Sequence, residues 1–321
     1  MSARREFVEG VVDLMRVAAT RLPVDAHEAL RRAAEREGNE LARKQLEAIL
    51  RNAELAGGLA RPICQDTGMV YFFARAGRDF PLLLELEDAL REATREATRR
   101  IPLRPNAVDP IRDRNSGDNT GSHMPWVDLE LTEGDGLLLT VLFKGGGSEY
   151  PSVSRVIPPI QGLNGVKRFV VESMFNAGAM PCPPVVIGVG IAGGVDVASK
   201  LAKRSLLRPI GERHPEPEVA RLEEEILGLV NRLEIGPHGF GGPTTALDVK
   251  VEYGHRHPAS LAVAFTTNCW AVRRGTAEFK ADGSHRIISR HMGVRRWPSA
   301  ASGCRSRSRR PGLWPSATCC T

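Results

Sequence analysis

The chain has 321 residues, 42% of them hydrophobic and 26% charged, enough for one or two domains with a large buried core. No apolar run approaches the roughly 20 residues of a membrane helix, and charges of both signs fill Met1 to Glu9 where a secretory leader would be apolar. The formal net charge of +6 belongs to one end: residues 280–321 hold nine Lys or Arg against one acid, so the other 279 residues sum to −2 and charge alone argues no nucleic-acid role.

A cytoplasmic location is the expectation, and thiols there stay reduced. The six cysteines then point to metal, catalysis or burial rather than a disulfide frame.

Glu6 to Leu22 carries apolar residues at helical spacing and stops at Pro23. Asp25 is placed to cap a second helix to about Glu37, and Asn39 a third to about Ala56, closed by Gly57-Gly58. Next comes Arg61-Pro62-Ile63-Cys64-Gln65-Asp66-Thr67-Gly68, which sets a thiol, an amide, a carboxylate and a hydroxyl on four consecutive residues. A reaction centre uses that mixture; a turn with one buried thiol is the plainer reading. Met69 to Ala74 reads as a strand.

Phe80-Pro81 opens an amphipathic helix to about Arg100. The polar stretch from Arg104 to Pro125 is too long for an ordinary connection and reads as a ligand-lining loop or an insert without structure. Val127–Leu131 and Leu137–Phe143 read as strands joined by a hairpin at Thr-Glu-Gly-Asp-Gly. Lys144-Gly145-Gly146-Gly147-Ser148-Glu149 follows. Its successive N–H groups can form an anion-binding concavity, which Lys144 would favour.

Pro158-Pro159 starts a helix to about Ala179, and Cys182 is then fenced by prolines on a stiff loop. Val185 to Gly190 reads as a buried strand, Val195 to Arg204 and Glu218 to Leu233 as helices. Ile235 to Thr245 is a Gly-rich loop. Leu247–Tyr253 and Ser260–Thr267 read as strands, the second ending at Thr266-Thr267-Asn268-Cys269. The expected fold class is α/β in the mixed α+β sense: N-terminal helices, then mixed sheets with packed helices. Residues 1–280 form the expected domain, and residues 281–321, with Cys304, Cys319 and Cys320, a basic disordered tail.

Cys64, Cys182 and Cys269 each follow the end of an element and lie in a loop with Pro, Gly or Asn. Three thiolates could hold a zinc ion with water in the fourth place. They could equally hold a 4Fe-4S cluster with one iron free to act as a Lewis acid.

ICQDTG, KGGGSE, the Pro-Cys-Pro-Pro turn leading into VVIGVGIAGG, IGPHGFGG and TTNC resemble, in this order, the N-terminal domain or alpha subunit of the class I iron–sulfur hydro-lyases. That family comprises the fumarate hydratases and L(+)-tartrate dehydratases, and the resemblance covers roughly residues 5 to 280. It implies that Cys64, Cys182 and Cys269 ligate a 4Fe-4S cluster and that Gln65 and Asp66 face the substrate, with Asp66 handling the proton. It further implies that Arg104 pairs with a substrate carboxylate, Gly147 offers its N–H, and His257 contacts substrate. The implied reaction adds or removes water on a small 2-hydroxy dicarboxylate, with fumarate/malate expected first and tartrate as the alternative. In the family a C-terminal domain or separate beta subunit supplies the base and further cations. This chain carries neither, so it is expected to work as half of a site in an oligomer.

Two rival readings remain open. Gly188-Val-Gly190-Ile-Ala-Gly193 follows a strand, precedes a helix and has an acid at Glu212, the pattern of a dinucleotide site. A non-catalytic iron–sulfur protein would use the same three cysteines without a substrate.

Overall fold

The computed structural model describes residues 3–293. Helices α1 (Ala3–Thr20), α2 (Val24–Arg36) and α3 (Glu40–Leu59) fill the N-terminal region as the spacing predicts. Asn39 caps α3, its Oδ1 accepting from the Leu41 and Ala42 amides. Asp25 caps nothing. It sits inside the first turn of α2, and its Oδ2 accepts from Arg274 and from the Ile210 amide at 2.7 Å. Tertiary partners outcompete the local cap there, because a guanidinium is a stronger donor than a neutral amide. Gly57 and Gly58 continue α3 rather than end it, and the chain turns at Ala60 in the left-handed region.

Two sheets carry the rest. The first contains β1 (Met69–Gly77), β4 (Trp126–Thr132), β5 (Leu137–Lys144), β10 (Arg274–Phe279) and β11 (His285–Ile287), ordered β11-β10-β5-β1-β4. α1 and α4 (Leu86–Arg100) cover one face, burying Phe7, Val11, Leu14, Leu90 and Ala93 against Phe72, Leu139, Val141 and Phe279. β4 and β5 do not form the expected hairpin. β1 lies between them, parallel to β4 and antiparallel to β5. Their connection passes over the end of β1, where Gly77 N–H donates to Gly136 O at 2.8 Å and Arg78 N–H to Thr132 O at 2.9 Å. The apolar β1 takes the buried central place that a two-strand hairpin would leave empty.

The second sheet contains β6 (Val153–Ile157), β7 (Val185–Ala192), β8 (Ala246–Tyr253) and β9 (Leu261–Asn268), ordered β6-β9-β7-β8. Alternation along β7 sorts its faces. Val185, Ile187 and Val189 pack with residues of α6 (Gly162–Ala177) and α8 (Pro217–Asn231), and the glycines between them face α7 (Val195–Ser205). The short helix α5 (Gly146–Glu149) follows β5 directly. β2 (Val108–Asp109) and β3 (Arg114–Asn115) form a small ribbon inside the polar loop, which is therefore structured.

The glycines of β7 answer the dinucleotide reading. A Cβ at Gly188 would stand 2.2 Å from the Ala202 carbonyl oxygen, and one at Gly190 would stand 1.9 Å from that of Ala198. Both exist to let α7 lie against the strand. Gly190→Ala should therefore destabilise the fold by about 1–3 kcal/mol, since the helix backbone must move. Denaturant unfolding checks this; unchanged stability together with lost NAD affinity would restore the dinucleotide reading.

The fold does not close at residue 280. β11 pairs with β10, and His291 is buried and bridges Pro23. The expected tail beyond residue 293, with its three cysteines, lies outside the described residues. Among the described residues no helix is long and apolar enough to cross a membrane.

Candidate active site

The 61–68 turn is anchored at its base. Ile63 N–H donates to Ala19 O at 3.0 Å, and Asn52 Nδ2 donates to Ile63 O at 2.8 Å. Beyond that anchor Cys64 is half-buried, Gln65 exposed and Asp66 half-buried. The Asp66 carboxylate is clamped between two backbone amides: Oδ1 accepts from Gly68 at 2.9 Å, Oδ2 from Gly146 at 2.8 Å. Gly68 has φ +86°, and a Cβ there would stand 2.9 Å from the Lys144 backbone. Only glycine lets the turn sit that close to the end of β5.

The concavity at Lys144–Glu149 is thus partly filled from within, since Asp66 takes the Gly146 amide. Gly147 keeps an N–H with no acceptor among the described residues, as the start of a helix leaves it. Lys144 does not serve an anion from outside. It is fully buried, donates to Ser148 O at 2.8 Å and pairs with Glu149 at 2.7 Å. Burial brings its pKa down to about 8 against the pull of Glu149.

The other two cysteines meet this turn from the second sheet. Cys182, exposed and with φ +54°, lies in the loop before β7, and Cys269 follows β9 and is 8% exposed. Because β7 and β9 are antiparallel, with Val186 opposite Asn268, both cysteines lie at the same end of the sheet. The Trp270 amide approaches the Cys182 carbonyl at 3.5 Å, and Cys64 packs beside Cys269 and Trp270. Met180 O stands 3.3 Å from where a Cβ of Gly147 would be, so the Gly-rich turn and the Cys182 loop face each other.

Burial pushes the Cys182 thiol up, as do Cys269, Cys64 and Asp66 nearby. Burial also pushes Cys269 up, with Cys64 adding to it and Arg273 and Lys144 opposing it. The three cysteines therefore share one electrostatic environment. Yet among the described residues no three His, Cys, Asp or Glu side chains close on a single ion position.

Arg104 is fastened to the turn by its backbone: its N–H donates to Thr67 Oγ1 at 3.0 Å, and its carbonyl accepts from that hydroxyl at 3.2 Å. Asn106 adds a bond to Gly68 O at 3.2 Å. The Arg104 side chain is exposed and makes no ion pair among the described residues. His257 is elsewhere. Its backbone lies beside Gly193, past the far end of β7, while Cys182 precedes the near end. Eight residues of strand separate them, roughly 26 Å at about 3.3 Å per residue. The expected contact of His257 with substrate beside the cysteines is not met within this chain.

Sequence reasoning missed three polar groups at the cysteine end. Both side-chain polar atoms of buried Asn268, the Nε of Arg273 and the Nε2 of His238 are buried without partners. His238 N–H donates to Pro183 O at 2.8 Å, next to Cys182. Buried polar atoms are normally satisfied, so this concentration fits a site completed by a bound group. A cavity of about 400 Å³ opens instead between β4 and β6, lined by Tyr71, Trp126, Asp128, Glu149 and Lys203, and none of the cysteines reaches it.

Residues 8–278 match the fumarate hydratase (fumerase) family. The putative L(+)-tartrate dehydratase subunit alpha of Methanocaldococcus jannaschii is 42% identical over 276 residues, covering 85% of this chain and 97% of that protein. The L(+)-tartrate dehydratase subunits alpha of Escherichia coli and Shigella sonnei are each 40% identical over 281 residues, 87% of this chain and 93% of theirs. With the five motifs in order and a family match over residues 8–278, the chain belongs to the fumarate hydratase (fumerase) family of hydro-lyases.

Proposed function

We propose that the chain is the alpha subunit of a cytoplasmic two-subunit hydro-lyase, adding or removing water on a small 2-hydroxy dicarboxylate. One observation supports this reading: three free cysteines from three separate loops lie in one neighbourhood with a carboxylate clamped by backbone amides. Cys64, Cys182 and Cys269 would hold the 4Fe-4S cluster. When bound, such a group offers one iron without a protein ligand as a Lewis acid toward a hydroxyl and its neighbouring carboxylate.

The chain's own residues do the rest. Asp66, fixed at both oxygens, is placed to give a proton to the departing hydroxyl and to take one from the attacking water. Exposed Gln65 orients the substrate from the same turn. Arg104 presents a planar fork to the distal carboxylate, and the Gly147 N–H adds a donor. In this reading the base that takes the proton from the substrate carbon comes from a beta-type partner, as the family resemblance implies.

Tartrate becomes the first substrate to assay, ahead of the malate/fumarate pair. The relatives matched over nearly their full length carry the tartrate dehydratase name. Anaerobic co-expression with a beta-type subunit should yield dehydration of L-tartrate, with malate and fumarate assayed in parallel. No turnover of any 2-hydroxy dicarboxylate by a loaded complex would defeat the proposal.

A further inference from the structure

Arg273 and Arg274 follow Cys269 by four and five residues, and both are buried. Arg274 has its counter-ion in Asp25. Arg273 is 1% exposed, and no Asp or Glu among the described residues pairs with it. Its one hydrogen-bond acceptor is the backbone carbonyl of Asp66, and its Nε is buried without a partner. One terminal nitrogen stands 3.1 Å from the Cβ position of Gly145, and Asp66 Oδ2 stands 2.9 Å from that same point. The guanidinium therefore lies beneath the Cys64–Gly68 turn and acts on Cys269.

Other buried charges in the described body, Glu37 excepted, are answered by a counter-ion. Lys144 has Glu149, Lys250 has Asp248, and Glu223 has Arg208. Glu37, the remaining unpaired one, faces Gly242 instead. A guanidinium cannot shed its proton, and leaving it unpaired in the interior is unfavourable. The Asp66 carboxylate is the anion nearest in the described turn, but it is held by the Gly68 and Gly146 amides and does not reach ion-pair distance, so the Arg273 charge is incompletely balanced. Substrate cannot supply the balance, because the group is sealed from solvent.

We infer that Arg273 is the built-in counter-cation of the three-cysteine site. It balances the negative charge of the thiolate-held cluster from below and fixes the Asp66 main chain above it. It is a positioning residue, and the inference rests on the iron–sulfur reading proposed above.

The test compares wild type, Arg273→Met and Arg273→Lys after anaerobic reconstitution. It reads iron and sulfide content, iron loss to a chelator, midpoint potential, and melting temperature with and without the cluster. The empty Arg273→Met chain should fold and melt no lower than the empty wild type, since an unpaired charge is removed. On loading it should gain less in melting temperature and release iron about 10- to 100-fold faster. Its potential should move to more negative values, because a nearby positive charge has gone. Arg273→Lys should keep a potential near that of wild type.

Equal melting gain and equal potential in Arg273→Met would overturn the inference. Unfolding of the empty Arg273→Met chain would also overturn it, by making the arginine a structural strut. Wild type that takes up no cluster would defeat the iron–sulfur reading itself, and this inference with it.

Discussion

Cys182→Ser is expected to yield a folded protein that holds no stable cluster, with activity of the loaded complex lost. A hydroxyl does not ionise as a thiolate does and is a poor ligand for iron in such clusters. Cys182 is the cleanest of the three to replace. It is exposed, in a loop, and contributes little to any core. Cys269 sits in a core with Ile63 and Trp270, so serine there would also bury a hydroxyl and confuse the readout. Cys304→Ser is the control and should keep full iron content. Iron and sulfide analysis with visible absorption decides; equal losses in the two variants would sink the ligand assignment.

Asp66→Asn should lower kcat by about 10²- to 10⁴-fold, the usual worth of a positioned acid–base group. Asparagine offers only one acceptor oxygen, so its NH₂ must face either the Gly68 or the Gly146 amide. That local conflict costs about 1–3 kcal/mol, which a melting curve reads separately. Iron content should stay near wild type, because the cysteines are untouched. Kinetics on the loaded alpha–beta complex decide the point. A kcat within about threefold of wild type would remove Asp66 from the proton-handling role, threefold being well below what acid–base groups contribute.

Cys64, Cys182 and Cys269 could be picked out from sequence because each breaks the rule for buried free cysteines. They follow element ends, amid residues that fix loops, instead of lying on apolar stripes. Helices α1 and α3 could be read from apolar spacing, with Asn39 capping α3, whereas α4 starts at Leu86, after a short 3-10 turn, rather than at Pro81. The order of the first sheet could not. A Gly-Asp-Gly turn between two strands looks like a hairpin locally, and only the burial of β1 between them explains the arrangement. Lys144 beside three glycines looks like an anion binder, yet Glu149 is one helical turn away and claims it. Two adjacent arginines look like surface charge, which hid Arg273. His257 shows a different limit. Few residues separate it from Cys269, but they include all of β9, and a strand puts its two ends on opposite edges.

The seating of α1 has a consequence for biosynthesis. Phe7 packs against Phe279 with ring centroids 4.8 Å apart, Val24 N–H donates to Arg290 O at 2.9 Å, and Met292 N–H donates to Leu22 O at 3.0 Å. The first helix of the described residues therefore docks on their last strands. Translation at about 5–20 residues per second leaves its apolar face waiting roughly 15–50 s for that seat. The first sheet can close only once β10 and β11 have been made, and Cys269 emerges just ahead of them. Folding and loading of the three-cysteine site thus wait for both ends of this body to be made, and the nascent α1 is the segment a chaperone would have to shield.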